Sequence, residues 1–381
     1  MSKRLLLLGG GHAHVHVLQA LAREPLAGAE VALVTPFARQ MYSGMVPGLV
    51  AGHYRAEQCA IALQPLAAAA RVHFIEGSAV ALDAAARRVT LADGRVAEYD
   101  VLSLDTGAVM DRQRLAGARE QGLFVRPIEH FVHLLDGLLD LAARRVLDVV
   151  VVGGGAAGVE LAMALQHRLA GRGEERARVA LVTGGGEPLA GSPASVMRRA
   201  ALALAERRVT VFRDSVAALL HGAVVLTSGA RLACDAPVLA TGAEAPLWLA
   251  GSGLALDDKG FVSTGPMLQS NSHPEVFAAG DVACRSDAPH AKSGVYAVRA
   301  GPPLALNLRR YVGGGALHPH VPQRRTLNLI SCGDRRAIVS WGNWAAQGRW
   351  AWWWKDRIDR AFVARYSLPG EPAPVALTRS A

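Results

Sequence analysis

Leu5-Leu6-Leu7-Leu8 runs straight into Gly9-Gly10-Gly11, and from His12 the apolar residues Val15, Val17, Leu18 and Leu21 recur at helical spacing. Four leucines in a row predict a strand buried on both faces, as in the middle of a parallel sheet. The glycines let the chain turn sharply and bring backbone close to a ligand with no Cβ in between. A helix starting there aims unpaired N–H groups and the positive end of its dipole at whatever the turn holds, which suits a diphosphate. This is the opening of a dinucleotide-binding unit with one departure: His14 stands where G-x-G-x-x-G has its third glycine.

The same order of parts then occurs again. In the first unit, Glu30 to Thr35 reads as a second strand, and the acid that usually holds a ribose hydroxyl would fall on Thr35 or Pro36. That contact is therefore absent or supplied from elsewhere. Met41 to Gly48 reads as a loop punctuated by Gly and Pro. Short strands are expected at 72–75, 88–91 and 96–98, and Tyr99 to Leu104 closes the unit at Asp105-Thr106-Gly107. Residues 108–145 read as a mixed, polar and partly helical connection. Leu147 to Val152 is the next buried strand, and Gly153-Gly154-Gly155-Ala156-Ala157-Gly158 matches G-x-G-x-x-G in full, with Val159 and Glu160 leading into a helix. Strands at 179–183, 224–227 and 230–232 precede Val238 to Ala240, which closes this unit at Thr241-Gly242. A third stretch, Pro274 to Asp281, reads as a buried strand ending at Gly280-Asp281, where open α/β sheets bind ligands, and a helix is expected from about Ser293 to Leu308. The fold class is α/β, with two Rossmann-like units.

Composition narrows the setting. With 51% hydrophobic and 19% charged residues the chain is globular, and no apolar run is long enough to span a bilayer. The net charge of +9 suits phosphates, anionic lipid or an acidic partner; no nucleic-acid-binding motif accompanies it, so nucleic acid is not an expected partner. Cys59, Cys234, Cys284 and Cys332 are scattered without a C-x-x-C or C-x4-C pair, which predicts a reducing, cytoplasmic setting and no catalytic disulfide.

These signals in this order resemble the two-dinucleotide-fold flavoproteins of the pyridine nucleotide oxidoreductase family, over roughly residues 4–310. Within it the chain looks most like the type II NADH dehydrogenase and sulfide:quinone reductase branch. More narrowly, it is similar to the oxidoreductases encoded joined to, or beside, selenide, water dikinase. The stretches carrying that likeness are Gly9 to Val15, Tyr42-Ser43-Gly44-Met45-Val46-Pro47-Gly48, Lys292 to Arg299 and Trp353 to Arg360. The resemblance implies an FAD-binding domain over residues 1–112 and 246–315, an inserted NAD(P)-binding domain over 113–245, and a C-terminal segment over 316–381. It implies that Gly9, Gly10, Gly11, His12 and Ala13 hold the FAD diphosphate, that Thr35, Ser43, Ala79, Thr106 and Gly107 line the FAD, and that Gly280-Asp281 holds the ribityl chain. Gly153, Gly155, Gly158, Thr241 and Gly242 would hold NAD(P)H. The 381 residues include no kinase domain, so selenide, water dikinase enters only as a partner expected from the likeness.

The expected reaction is hydride transfer from NAD(P)H to flavin, then electron delivery to an acceptor such as a quinone; the alternatives are a selenium or sulfur compound as substrate, and a flavin-bearing interaction partner with a vestigial nicotinamide site. Glu160 is the expected carboxylate near nicotinamide and flavin, and Lys292, with the helix after Ser293, the expected positive charge at the flavin N1 edge. Sulfide oxidation is disfavoured because no cysteine lies between Cys59 and Cys234 to partner Cys332. The strand end Val182-Thr183-Gly184-Gly185 offers neither the acid of an NADH site nor the arginine of an NADPH site. His12, His14 and His16 cluster in sequence, but a phosphate-binding turn is a poor place to collect metal ligands, and no metal is expected. Six of the seven tryptophans fall between Trp341 and Trp354, followed by an amphipathic helix from Lys355 to Tyr366 with Ile358, Ala361, Phe362 and Tyr366 on one face. Peripheral contact with the inner face of a membrane, a cap on the FAD domain and a homodimer interface all remain open for that segment.

Overall fold

The computed structural model describes residues 2–170 and 177–368. Its first sheet has five parallel strands in the order Val276–Ala278, Val101–Leu104, Lys3–Leu8, Ala29–Thr35 and His73–Glu76. Leu5 to Leu8 are essentially sealed from solvent because this strand lies in the middle of the sheet, with Leu5 and Leu7 packed on helices and Leu6 and Leu8 on a small antiparallel sheet. The second sheet repeats the arrangement: Leu123–Phe124, Ala236–Leu239, Leu147–Val152, Ala177–Val182 and Thr210–Phe212, again all parallel.

In each unit a three-stranded antiparallel sheet precedes the closing strand. It is built from Ala79–Asp83, Arg88–Leu91 and Val96–Glu98 in the first, and from Val216–Leu220, Ala223–Leu226 and Arg231–Ala233 in the second. Sequence reading missed the leading strand of each, because their alanines carry little of the β-branched signal that marks a strand. The chain leaves the first unit after Leu104, builds the second sheet, and returns at Val276–Ala278 to pair with Val101–Leu104. The second fold is thus inserted into the first.

One stretch differs from expectation. Residues 39–50 are not an open loop but a short strand (Arg39–Met41), a turn and a helix (Val46–Val50), most of it buried against the helix of the second glycine turn. Pro47 sits in the first turn of that helix, where its missing N–H costs nothing. The connection at 108–145, read as partly helical, contains a fifteen-residue helix, Ile128–Ala142.

The C-terminal segment is an antiparallel sheet (Leu327–Ser331, Ala337–Trp341, Trp344–Gly348) followed by the helix Arg349–Tyr366. The expected apolar face of this helix needs correction. Ile358 and Ala361 point to solvent, whereas Ala351, Trp352, Lys355, Asp359, Phe362, Val363 and Tyr366 are buried. The true period runs through a charged pair, which an apolar-only reading skips. Among the described residues no helix is long and apolar enough to cross a membrane.

Candidate active site

The first glycine turn is built against the end of the strand Val101–Leu104. Gly9 has φ +96°, and a Cβ on it would strike the Asp105 carbonyl. A Cβ on Gly10 would strike Leu63, close to the Thr35 hydroxyl, so Thr35 packs beneath the turn. Gly11 caps the helix His12–Arg23, and its missing Cβ leaves room for the Asp105 carboxylate. The departure at His14 is accounted for: its Nδ1 lies 2.6 Å from Gly9 O and its Nε2 2.8 Å from Ser103 Oγ. Burial pushes the imidazole down to about 4, so it is neutral, donating to Gly9 O and accepting from the Ser103 hydroxyl. Hydrogen bonds thus tie helix to strand where a third glycine would do it by close contact.

The second turn uses that contact. Gly153 has φ +132°, and a Cβ on Gly158 would run into Gly153 O. Gly155, by contrast, faces open space, and the helix Ala156–Leu169 begins without a side-chain cap. Gly242 also opens onto free space, beside the exposed Thr241.

Around the first turn the expected residues converge. His12 accepts from Gln40 Nε2 at 2.8 Å and lies 3.4 Å from Ser43 Oγ, and burial pushes it down to about 4. Ser43 lies against Gly294 at the start of the helix Gly294–Val312, which has no side-chain cap. Asp281 follows Gly280 (φ +72°) and forms an ion pair with Arg126 at 3.2 Å. The Thr106 hydroxyl is buried without a partner, and the N–H of His12 has none among the described residues. These are donors in a cradle whose Gly107 leaves open space, so the donor set fits a dinucleotide diphosphate. Ala79 opens the antiparallel sheet just past the edge strand, paired with Leu91.

The two catalytic candidates are placed very differently. Lys292 donates to Ala283 O and rests 3.7 Å above the Phe261 ring, with burial lowering its pKa. Its ammonium is held at that loop. Glu160 accepts from Ser331 N at 2.7 Å, and burial pushes its carboxyl up to about 7 against the pull of Lys355. Lys355 is buried, donating to Gly44 O at 2.6 Å and Asp359 Oδ2 at 2.7 Å. Burial alone would lower its pKa, but Asp359 and Glu160 outweigh it and keep the ammonium charged. Tyr42 hydrogen-bonds Asp359 and stacks on Phe362 at 4.3 Å. Sequence reading missed Lys355, Asp359, Arg126 and Asp105; the available signal was a Lys–Asp pair at i, i+4 on a helix otherwise read as interfacial.

His12, His14 and His16 do not form a shared site, since each has its own partners and His16 lies 3.3 Å from the Tyr366 hydroxyl. The four cysteines are unpaired.

Residues 3–302 match the pyridine nucleotide-disulphide oxidoreductase family. The chain belongs to that family. It is similar to an NADH dehydrogenase-like protein of Mycobacterium tuberculosis, 33% identical over 267 residues, which are 67% of this chain and 65% of the relative. The match thus spans slightly less than two thirds of that relative's length. It is also similar to demethylphylloquinone reductase of Synechocystis, 27% identical over 303 residues, 75% of this chain and 73% of the relative. Among solved structures, the NDH2 of Plasmodium falciparum in complex with NADH superposes with a TM-score of 0.82 at 11% identity, covering 95% of each chain. The sulfide:quinone oxidoreductase of Aquifex aeolicus gives 0.80 at 18% identity, covering 97% of this chain and 93% of that one. Both likenesses speak for the fold.

Proposed function

We propose that this chain is an FAD-dependent NAD(P)H oxidoreductase that passes electrons to a quinone, working without a catalytic disulfide. The observation that carries the reading is the junction at Glu160. Here the second glycine-turn helix, the Tyr42–Gly44 segment of the first unit and the C-terminal helix meet around a carboxyl pushed up to about 7 beside a lysine whose charge Asp359 favours. A quinone needs two protons with its two electrons, and a group of that pKa is suited to hold and release one. The name of the Synechocystis relative, a demethylphylloquinone reductase, favours the same acceptor.

The chain's own residues divide the work. The first turn and the positive end of its helix hold the FAD diphosphate, Asp281 takes the ribityl chain, and the uncapped start of Gly294–Val312 presents a positive dipole beside Ser43. When bound, FAD would supply the two-electron chemistry. Gly155 lets NAD(P)H approach the second turn, Glu160 carries the proton, and Lys355, held by Asp359, keeps a positive charge beside it. Thiol chemistry gains little: burial pushes Cys59, Cys234 and Cys332 up to about 12 and raises Cys284.

The C-terminal helix suits delivery of the acceptor from a membrane. Trp341, Trp344, Trp350 and Trp353 are each about half exposed, Trp350 stacks with Trp354, and Arg349 and Arg357 lie on the same helix.

Anaerobic titration of the purified protein with NADH and NADPH tests the reading. The flavin band should bleach on mixing with at least one of them and recover on adding a short-chain quinone. Bound flavin that neither cofactor reduces would overturn it.

A further inference from the structure

The first glycine turn encloses a carboxylate that nothing above employs. Asp105 ends the strand Val101–Leu104 and is buried, 2% exposed. Its Oδ2 accepts from Ala13 N at 2.8 Å and His14 N at 2.9 Å, the second and third N–H groups of the helix. The turn is shaped around it: a Cβ on Gly11 would collide with the carboxyl group, and one on Gly280 with Oδ1. No ion pair among the described residues joins it to a cation. Two of the N–H groups that a helix start offers to a diphosphate are therefore taken by an acid on the protein itself.

We propose that Asp105 is a proton-carrying member of the diphosphate site, taking up one proton from solvent when the dinucleotide seats and loosening it on ionising. The proposal rests on the flavin reading above. A diphosphate brings two further negative charges to a helix end already facing Asp105 and Asp281, so the carboxylate must pick up a proton or repel the ligand. The exchange balances as carboxylate plus one solvent proton giving the acid, which still accepts the Ala13 and His14 N–H bonds on Oδ2 and gains a donor on Oδ1. Even before any ligand arrives, burial pushes this carboxyl up to about 7; the His14 and Ala13 N–H groups pull against it, and Asp281 adds to it.

The neighbouring groups leave Asp105 as the group expected to change charge near neutrality. On the helix, His14 and His12 are pushed down to about 4 by burial and stay neutral. From the strand, Ser103 carries no charge. Past Gly280, Asp281 is paired with Arg126, and Lys292, coupled to Asp281, is an ammonium bound to Ala283 O.

The test follows release of FAD from the holoprotein as fluorescence regained after dilution, between pH 6 and 9, for wild type and Asp105→Asn. Wild type should release FAD faster as pH rises, by up to about tenfold per unit for a single proton. Asp105→Asn should be flat. In parallel, calorimetric titration of deflavinated wild type with FAD at pH 7.5, in phosphate and in Tris, should give heats that differ by the uptake of most of one proton. This second measurement stands even if the variant folds poorly. Release independent of pH in wild type, heats independent of buffer, or a variant that keeps the wild-type slope would each overturn the proposal while leaving the flavin reading intact. Protein that binds no FAD at any pH would overturn both.

Discussion

At Glu160 burial and a neighbouring ammonium pull in opposite directions, and burial wins, leaving the carboxyl at about 7. The folded value lies above a glutamate's ordinary 4.5, so the folded state holds its proton more tightly than the unfolded chain. Wild type should therefore lose stability relative to Glu160→Gln as pH rises from about 4.5 to 7, with no gap below that window; melting curves at pH 4 and 8 check this. In turnover the same group acts in the same direction: quinone reduction should fall as pH rises through about 7 in wild type. Glu160→Gln should be slower by at least about tenfold and flat with pH, while its rate of reduction by NAD(P)H is unchanged. Stopped-flow traces of the two half-reactions separate these. Glu160 was legible in the sequence because it follows a complete glycine motif. Its partners were not, because Lys355 and Asp359 are brought to it only by packing of the C-terminal helix.

At the scale of elements, the two glycine turns solve one problem in two ways. Gly158 lets helix and strand touch, so Gly158→Ala must push the Ala156–Leu169 helix off Gly153 O, at a cost of about 2–3 kcal/mol. His14 spans the corresponding distance with two hydrogen bonds. His14→Gly, which would restore the standard motif, should destabilise the protein by about 2 kcal/mol, because the Ser103 hydroxyl is left buried and a glycine enters a helix. Thermal or denaturant melts of the two variants decide whether the departure is a defect or a substitute. The turn itself was readable from Leu5 to Gly11 alone. How His14 fits was not, since Ser103 lies across the sheet and enters the argument only when the strands are paired.

For the whole molecule, the C-terminal helix faces two ways. Its inner face, Trp352, Lys355, Asp359 and Phe362, closes the junction beside Glu160; its outer face carries Trp350, Trp353 and Trp354. Replacing Trp353 and Trp354 together with Ser should cut co-sedimentation with anionic vesicles severalfold and leave reduction by NAD(P)H and the melting temperature nearly unchanged. Unaltered sedimentation, with a change in oligomeric state instead, would assign the face to a second copy of the chain. The sequence made the concentration of tryptophan plain, and also the repeat that fixes the architecture. It could not divide the tryptophans between inside and outside, because a helix carrying charge on its buried side defeats a reading by hydrophobic period alone.

The strand Val276–Ala278 bears on how the protein is made. It is the outer neighbour of Val101–Leu104, yet it leaves the ribosome only after the whole inserted sheet has emerged. The inserted unit, whose strands all lie between residues 123 and 239, has every piece it needs to close first. Until Ala278 arrives, the first unit holds an apolar strand with one edge bare, in a nascent chain whose first glycine turn is still waiting for the sheet that completes it.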